Sequence, residues 1–262
     1  MSEKTKFSII GFPDFPVSVD KAFQNLTDKP SKSVGETLSD IWFLVFGGLS
    51  HLADKRRLQF AKDLELFRSE LVQSLSEIPD ENKAEPSIQI TAQALENSKY
   101  CISEPELRQM FATLISSSMD KTKRNQVHPS FAEIIKQMSA LDAKIIHTFK
   151  YGPSDGFPIC KYGMSKKGEL GYYTLLENVF LECPDESVFS CSLSISSLIR
   201  AGLINIPPNA YYGNPEYYKP FEEHEQFKTY QQQHPDFIIK LHKQRVCLTP
   251  LGCSFVNTCI PN

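Results

Sequence analysis

The sequence lacks the features that mark nucleic-acid binders, disulfide-stabilised proteins and metal sites. Lys and Arg number 28 against 31 Asp and Glu, and the formal net charge of −3 provides no general attraction to nucleic acid or anionic lipid. The seven cysteines are an odd number without the close pairs of a zinc site. The first residues also lack the apolar core of a secretory signal. We therefore expect a cytoplasmic protein with reduced cysteines, no metal and no cofactor.

Long apolar runs are missing as well. The most apolar run, Ile41–Leu49, falls short of the roughly 20 residues that a transmembrane helix needs. We expect a buried helix here. The alternative is an interfacial membrane anchor, with Trp42 near the lipid headgroups and the basic residues Lys55, Arg56 and Arg57 beside it.

No catalytic constellation is evident in the sequence. The glycine pair in Phe46–Leu49 lacks the Lys-Ser/Thr that follows the glycines of a phosphate-binding loop. No histidine has metal-ligand spacing, and no serine, histidine or acid has a convincing reaction partner. Since these patterns are missing from the sequence, we predict that the chain is not an enzyme. The hydrophobic share of 41% and the charged share of 23% are typical of a globular protein.

Composition and periodicity divide the chain into three parts. Residues 1–37 are rich in Pro, Ser, Lys and Asp and predict a loosely ordered arm, residues 38–150 a helical domain, and residues 151–262 a separate module. Apolar residues spaced by three and four predict a long amphipathic helix; they are Phe60, Leu64, Phe67, Leu71 and Leu75. We expect this face to pack within a helical bundle; pairing with a second copy of the chain through residues 58–75 is the alternative.

Three helix starts are predicted from a hydroxyl residue followed three positions later by an acid. They are Ser103–Glu106, Ser130–Glu133 and Ser139–Asp142. In each, the hydroxyl can accept from a free backbone N–H, and the acid can accept from the N–H of the hydroxyl residue. The segment therefore predicts short helices with well-defined starts.

The C-terminal part has the element order of a winged-helix module. The predicted elements are a helix over 171–181, a helix over 193–201 ended by Gly202, a short strand Leu203–Ile206, a β-hairpin over 237–248 that turns at Lys243-Gln244, and a helix capped by Thr249. We therefore predict a mainly α protein, in which the helical domain precedes a winged-helix-like α/β module with a long aromatic insert, residues 207–235.

Two candidate surfaces belong to this module. The insert carries aromatic residues typical of protein interfaces, Tyr211, Tyr212, Tyr217, Tyr218 and Phe221; packing over the core of the module is the alternative. Nucleic-acid contacts could come from the basic residues Arg200, Lys240, Lys243 and Arg245. The module as a whole is not basic, which favours protein over DNA as the partner.

Several motifs together resemble one protein family. They are Glu85-Pro86, Ala94–Glu96, Leu107–Leu114, Met119-Asp120, His128–Phe131 and Leu141–Ala143. In this combination the chain resembles the abortive infection alpha family, bacterial proteins grouped with anti-phage defence. The resemblance is clearest in the central third and weaker at Arg200–Ile204 and Leu248–Gly252. It implies a bacterial, intracellular defence protein and implies no particular reaction.

The motif residues His128, Pro129, Ser130, Phe131 and Asp142 have a structural explanation, because they lie where helices are predicted to begin. A functional role for His128 is the alternative. We predict a non-enzymatic component of abortive infection defence that recognises a phage or host protein. The alternatives are a winged-helix DNA-binding regulator and an effector that acts on a membrane.

Overall fold

A computed structural model describes residues 32–46, 54–166, 168 and 171–261. Residues 1–31 of the predicted arm and the side chains of Lys55, Arg56 and Arg57 lie outside the described part. The described residues form two compact units, one ending at Lys136 and the other running from Gln137 to Ile260. Residues 137–150, predicted as part of the helical domain, lie in the second unit.

The described part of the first unit is helical. Its helices are α1 (Lys32–Phe46), α2 (Asp54–Ser76), α3 (Ile88–Ser98), α4 (Pro105–Ser118) and α5 (Phe131–Lys136), with 3-10 turns at Asp80–Asn82 and Arg124–Gln126. Helix α2 packs on α4, while α1 and α5 pack on α3. The trio Phe67, Leu71 and Leu75 of the amphipathic face is buried within the unit, as periodicity predicts. Trp42 is buried too, with its ring 5.5 Å from that of Phe67.

A largely buried ion pair joins α2 to α4. The guanidinium of Arg108 donates through Nη2 and Nε to the carboxylate of Glu70, at 2.9 Å and 3.0 Å, and through Nη1 to the carbonyl of Ile102 at 3.1 Å. Both charges therefore have direct partners in a region from which water is mostly excluded.

The second unit combines helices with one antiparallel sheet. In chain order its elements are α6 (Ala140–Tyr151), β1 (Phe157–Lys166), β2 (Tyr173–Val179), α7 (Val188–Arg200), β3 (Ile204–Asn205), a 3-10 turn (Pro215–Tyr218), α8 (Lys219–Glu223), α9 (Glu225–Gln233), β4 (Phe237–Leu248) and α10 (Pro250–Cys259). The strand order is β2-β1-β4-β3, and every pairing is antiparallel. Helix α6 packs on α7 and α10, and α7 packs on β2.

This sheet overturns the predicted fold class of a mainly α protein with a winged-helix-like module. The helix predicted over 171–181 is wrong, because this segment contains strand β2. The predicted hairpin is also wrong: β4 is one continuous strand, in which Lys243 and Gln244 pair with Cys160 and Ile159 of β1 instead of forming a turn. Strand β1 was not predicted. Without a strand predicted at 157–166, the apolar alternation of residues 237–248 indicates pairing within that segment. The true partner of β4 is β1.

The predicted helix starts have different outcomes. Ser139 and Asp142 form the expected capping box at the start of α6. Thr249 caps α10 by accepting from the N–H of Gly252 at 2.9 Å. The signal at Ser103 is wrong, because α4 begins at Pro105 with Glu104 as its N-cap and without a side-chain capping bond.

Gly163 of β1 leaves room for two rings on one face of the sheet. A Cβ atom at this position would lie 2.9 Å from Tyr172 Cδ2 and 3.1 Å from His242 Nε2. The rings of Tyr172 and His242 lie 4.1 Å apart between centroids. Burial, followed by the positive charges of Lys161 and Lys240, lowers the pKa of His242 below its usual 6.5.

Substitution Glu70→Ala is expected to lower the free energy of unfolding by about 3 kcal/mol, because it leaves the buried Arg108 guanidinium without its charge partner. Urea unfolding followed by circular dichroism measures the change. Glu216→Ala is the control: Glu216 pairs with Lys219, and both side chains are more than half exposed, so its loss should cost less than about 1 kcal/mol. Equal effects of the two substitutions would contradict a special role for the Glu70 pair.

The lowered pKa of His242 predicts a pH dependence of stability. The unfolded chain takes up the proton more readily than the folded one, so protonation of His242 favours unfolding. The free energy of unfolding is therefore highest above pH 6.5 and falls as the pH decreases from 6.5 through the lower pKa of the folded state. Burial, followed by the charge of Lys150, lowers the pKa of His147 as well, so part of the dependence comes from that residue. Urea midpoints at neutral and mildly acidic pH should differ less in His242→Gln than in the wild type. An unchanged difference in His242→Gln would refute the assignment to His242.

Candidate functional site

The family-motif residues at 128–131 form the entry to α5. Nδ1 of His128 accepts from the Ser130 N–H at 3.2 Å and lies 2.7 Å from Ser130 Oγ. The N–H of Phe131 donates to the His128 carbonyl at 3.0 Å, and the rings of these two residues lie 5.9 Å apart. His128 and Pro129 are exposed, whereas Phe131 is buried. Each contact of His128 is thus local and belongs to the start of a helix.

Asp142 connects two helices of the second unit. Its Oδ2 accepts from the Ser139 N–H at 2.9 Å, and its own N–H donates to Ser139 Oγ at 3.1 Å. Ser197 of α7 donates to the same Oδ2 at 3.4 Å. Asp142 therefore caps α6 and also contacts α7, although its Oδ1 is buried without a partner among the described residues.

The aromatic insert packs on one face of the sheet, which we call the insert face. Because side chains alternate along a strand, Cys160 and Tyr162 of β1 lie on this face. They form a hydrophobic cluster with Tyr218, Phe221 and Phe227 of the insert. The hydroxyl of Tyr162 donates to the carbonyl of Phe221 at 2.8 Å. Two of the predicted interface residues, Tyr218 and Phe221, are consequently part of the core.

Two tyrosine hydroxyls attach the insert to neighbouring backbone. Tyr218 accepts from the Tyr212 N–H at 3.0 Å and donates to the carbonyl of Gln244 at 2.8 Å. Tyr212 donates to the carbonyl of Gly156 at 2.7 Å. Burial, followed by the negative charge of Asp155, raises the pKa of Tyr212 to about 12, so this hydroxyl stays protonated and keeps its donor. The insert is thereby held in place by polar as well as apolar contacts.

Aromatic and basic residues that were predicted as separate sites meet at the surface of the insert face. Tyr211 and Tyr217 are 59% and 50% exposed, and the Tyr217 ring lies 4.6 Å from that of Tyr212. Lys243 Nζ lies 5.3 Å from the centroid of the Tyr218 ring, and the guanidinium carbon of Arg245 lies 5.9 Å from that of Tyr212. We call the set Tyr211, Tyr212, Tyr217, Lys243 and Arg245 the tyrosine–cation patch.

The other two predicted nucleic-acid contacts do not join this patch. Lys240 pairs with Gly163 and lies on the opposite face of the sheet from Lys243, because the two lysines are an odd number of residues apart in one strand. Arg200 is exposed at the end of α7. The four basic residues therefore form no continuous surface on the sheet.

The amphipathic helix α2 uses its apolar face within the first unit, where Leu64, Phe67, Leu71 and Leu75 are buried. Leu58 and Leu66 of the same helix remain exposed, by 74% and 40%. Any contact with a second copy would therefore use a face of α2 other than the one that the periodicity identifies.

A cavity of about 500 Å³ lies in the first unit beside a family motif. It is lined by Glu85, Pro86, Ser87, Ile90, Ser118, Arg124 and Asn125. The motif pair Glu85-Pro86 follows Ala84, whose N–H donates to the carbonyl of Met119 at 2.8 Å, and Lys83 forms a β-bridge with Asp120. The motif segments thus join the connection before α3 to the end of α4.

Neither a metal centre nor a membrane span is found in the described ranges. There, no group of three or more His, Cys, Asp and Glu side chains is placed to hold a metal ion. Within the same residues, every helix is too short or too polar to cross a bilayer.

Tyr218→Phe tests how firmly the insert is attached. The substitution removes the hydroxyl that satisfies the Tyr212 N–H and the Gln244 carbonyl, so it should lower the free energy of unfolding by about 2 kcal/mol. Chemical denaturation measures this loss. The control Tyr211→Phe removes an exposed hydroxyl and should leave stability unchanged. A Tyr218→Phe protein as stable as the wild type would show that these hydrogen bonds contribute nothing.

The chain was compared with protein families, curated proteins and solved structures. A family model described as abortive infection alpha matches residues 59–259, which is most of the chain. No curated protein and no solved structure matches it. The match confirms the resemblance seen in the motifs, and the chain belongs to the abortive infection alpha family.

Proposed function

We propose that this protein is a non-enzymatic, cytoplasmic component of anti-phage defence that recognises a phage or host protein through the tyrosine–cation patch. Membership of the abortive infection alpha family supports the role in defence. The recognition mechanism is inferred from the composition and attachment of the patch.

The patch has the residue types that dominate binding energy at protein interfaces. Tyrosine and arginine are enriched among the few interface residues whose removal costs most of the affinity. Tyr211 and Tyr217 present large exposed rings, and Arg245 stands beside Tyr212. A partner could bury these rings without first displacing them from the core.

The patch is also attached to a rigid support. Tyr212 is hydrogen-bonded through both its backbone N–H and its hydroxyl, and Lys243 and Arg245 belong to the long central strand β4. Because these groups are already ordered, binding of a partner would cost this chain less conformational entropy than it would if the groups lay on a flexible loop.

A non-enzymatic role is supported by the contacts of the family-motif residues. The polar contacts of His128 lie within the entry to α5, and those of Asp142 join the start of α6 to Ser197. A helix cap accounts for Asp142, and local hydrogen bonds with Ser130 account for His128, without a reaction in either case.

The double variant Tyr211→Ala/Tyr217→Ala is expected to abolish protection of bacteria that express the protein, because it removes both exposed rings of the patch. Phage plating efficiency should rise to the value of cells without the gene. Tyr100→Ala is the control, since it removes a ring that is 72% exposed in the first unit. Expression level and unfolding temperature would be compared for all variants.

The two parts of the proposal can fail separately. A wild-type protein that protects against no phage in a broad panel would refute the role in defence. Full protection by the double variant would refute recognition through the patch and leave the defence role standing.

A further inference from the structure

The cations of the tyrosine–cation patch are not neutralised within the described chain. Neither Lys243 nor Arg245 forms an ion pair there, and Arg245 Nε is buried without a hydrogen-bond partner. Of the nearby acids, Glu216 is paired with Lys219 at 2.7 Å, whereas Asp155 lies beside Tyr212. The patch therefore presents two cations that pair with no acidic side chain of the described residues. An oxyanion is the type of partner that binds such cations most strongly.

We propose that the tyrosine–cation patch binds an acidic protein segment in which carboxylates alternate with apolar side chains. This inference rests on the proposed function, because it names the chemistry of the partner that the same patch would recognise. The carboxylates pair with Lys243 and Arg245, while the apolar side chains pack on Tyr211 and Tyr217.

The geometry favours carboxylates at the two cations. Arginine binds carboxylates through two parallel hydrogen bonds, and such charge-assisted bonds are about twice as strong as neutral ones. The ring of Tyr212 faces the guanidinium of Arg245, and the ring of Tyr218 faces the ammonium of Lys243. These cation–π contacts hold both charges near the insert surface before a partner arrives.

The two exposed rings supply the apolar part of the same surface. The ring of Tyr217 is tilted by 32° against the ring of Tyr212, and Tyr212 in turn contacts Arg245. An aromatic or aliphatic side chain beside a bound carboxylate would therefore meet a ring next to the cation. Such mixed contacts give orientation as well as affinity, because the charge and the apolar group must both fit.

Protein is favoured over nucleic acid because the cations are few and confined to one spot. Nucleic-acid affinity comes mainly from neutralising several phosphates along a strand. Lys240, the next lysine in β4, lies on the opposite face and cannot extend the patch.

Fluorescence anisotropy with the full-length protein tests the inference. The probe is a fluorescein-labelled peptide of repeating Glu-Glu-Phe units; a Lys-Lys-Phe peptide and an oligothymidylate are compared with it at about 50 mM salt, where charge interactions extend over more than about 10 Å. The acidic peptide should bind, and the Lys-Lys-Phe peptide should not. Binding should weaken about tenfold in Lys243→Glu, because the reversed charge repels the carboxylates.

Lys240→Glu is the matched control, since it makes the same charge change at an exposed site in the same strand but on the other face. Its affinity for the acidic peptide should stay within about twofold of the wild type, as expected for a charge outside the interface. Equal weakening by the two variants would overturn the inference, because it would indicate a general charge effect. Circular dichroism would confirm that both variants are folded.

Other results would also overturn the inference. Absence of acidic-peptide binding would do so, as would tighter binding of oligothymidylate with the same dependence on Lys243, which would identify the patch as a nucleic-acid surface. The proposed function has its own readout: loss of protection in Tyr211→Ala/Tyr217→Ala together with absent peptide binding would refute only the acidic character of the partner.

Discussion

The pairing of β1 with β4 is the interaction on which the second unit depends. It runs without a register shift from Phe157 opposite Val246 to Lys166 opposite Phe237. This register decides the face on which each side chain lies, and a slip by one residue would move every side chain of one strand to the other face. The tyrosine–cation patch exists because Lys243 and Arg245 lie on the face that the insert covers, whereas Lys240 and His242 lie on the opposite one.

The insert is a layer of the fold as well as a source of surface residues. Tyr218, Phe221 and Phe227 complete the hydrophobic cluster over Cys160 and Tyr162. A buried tyrosine hydroxyl needs a hydrogen-bond partner. The hydroxyls of Tyr162 and Tyr218 find one by donating to backbone carbonyls. The exposed tyrosines are consequently displayed from an ordered support.

The family motifs of this chain belong to its architecture. Asp142 completes a capping box and receives a hydroxyl from α7, while Glu85-Pro86 follows a backbone bridge between the connection before α3 and the end of α4. These contacts place the most recognisable residues at helix starts and chain connections. The tyrosine–cation patch lies elsewhere, in the insert and β4, and these residues also fall within the range that the family model matches.

The sequence by itself determined the features that depend on residues three or four positions apart. The buried face of α2 follows from apolar periodicity, and the caps at Ser139 and Thr249 follow from hydroxyl side chains next to free N–H groups. Only the tertiary structure decided that β4 is one strand, since its partner β1 is distant in the chain and long-range pairing has no local signal. Lys243 and Arg245 are two residues apart, so they lie on one face as soon as residues 237–248 are recognised as a single strand. Which tyrosines are buried and which are exposed depended on the sheet that the insert covers, because burial is a property of the assembled core.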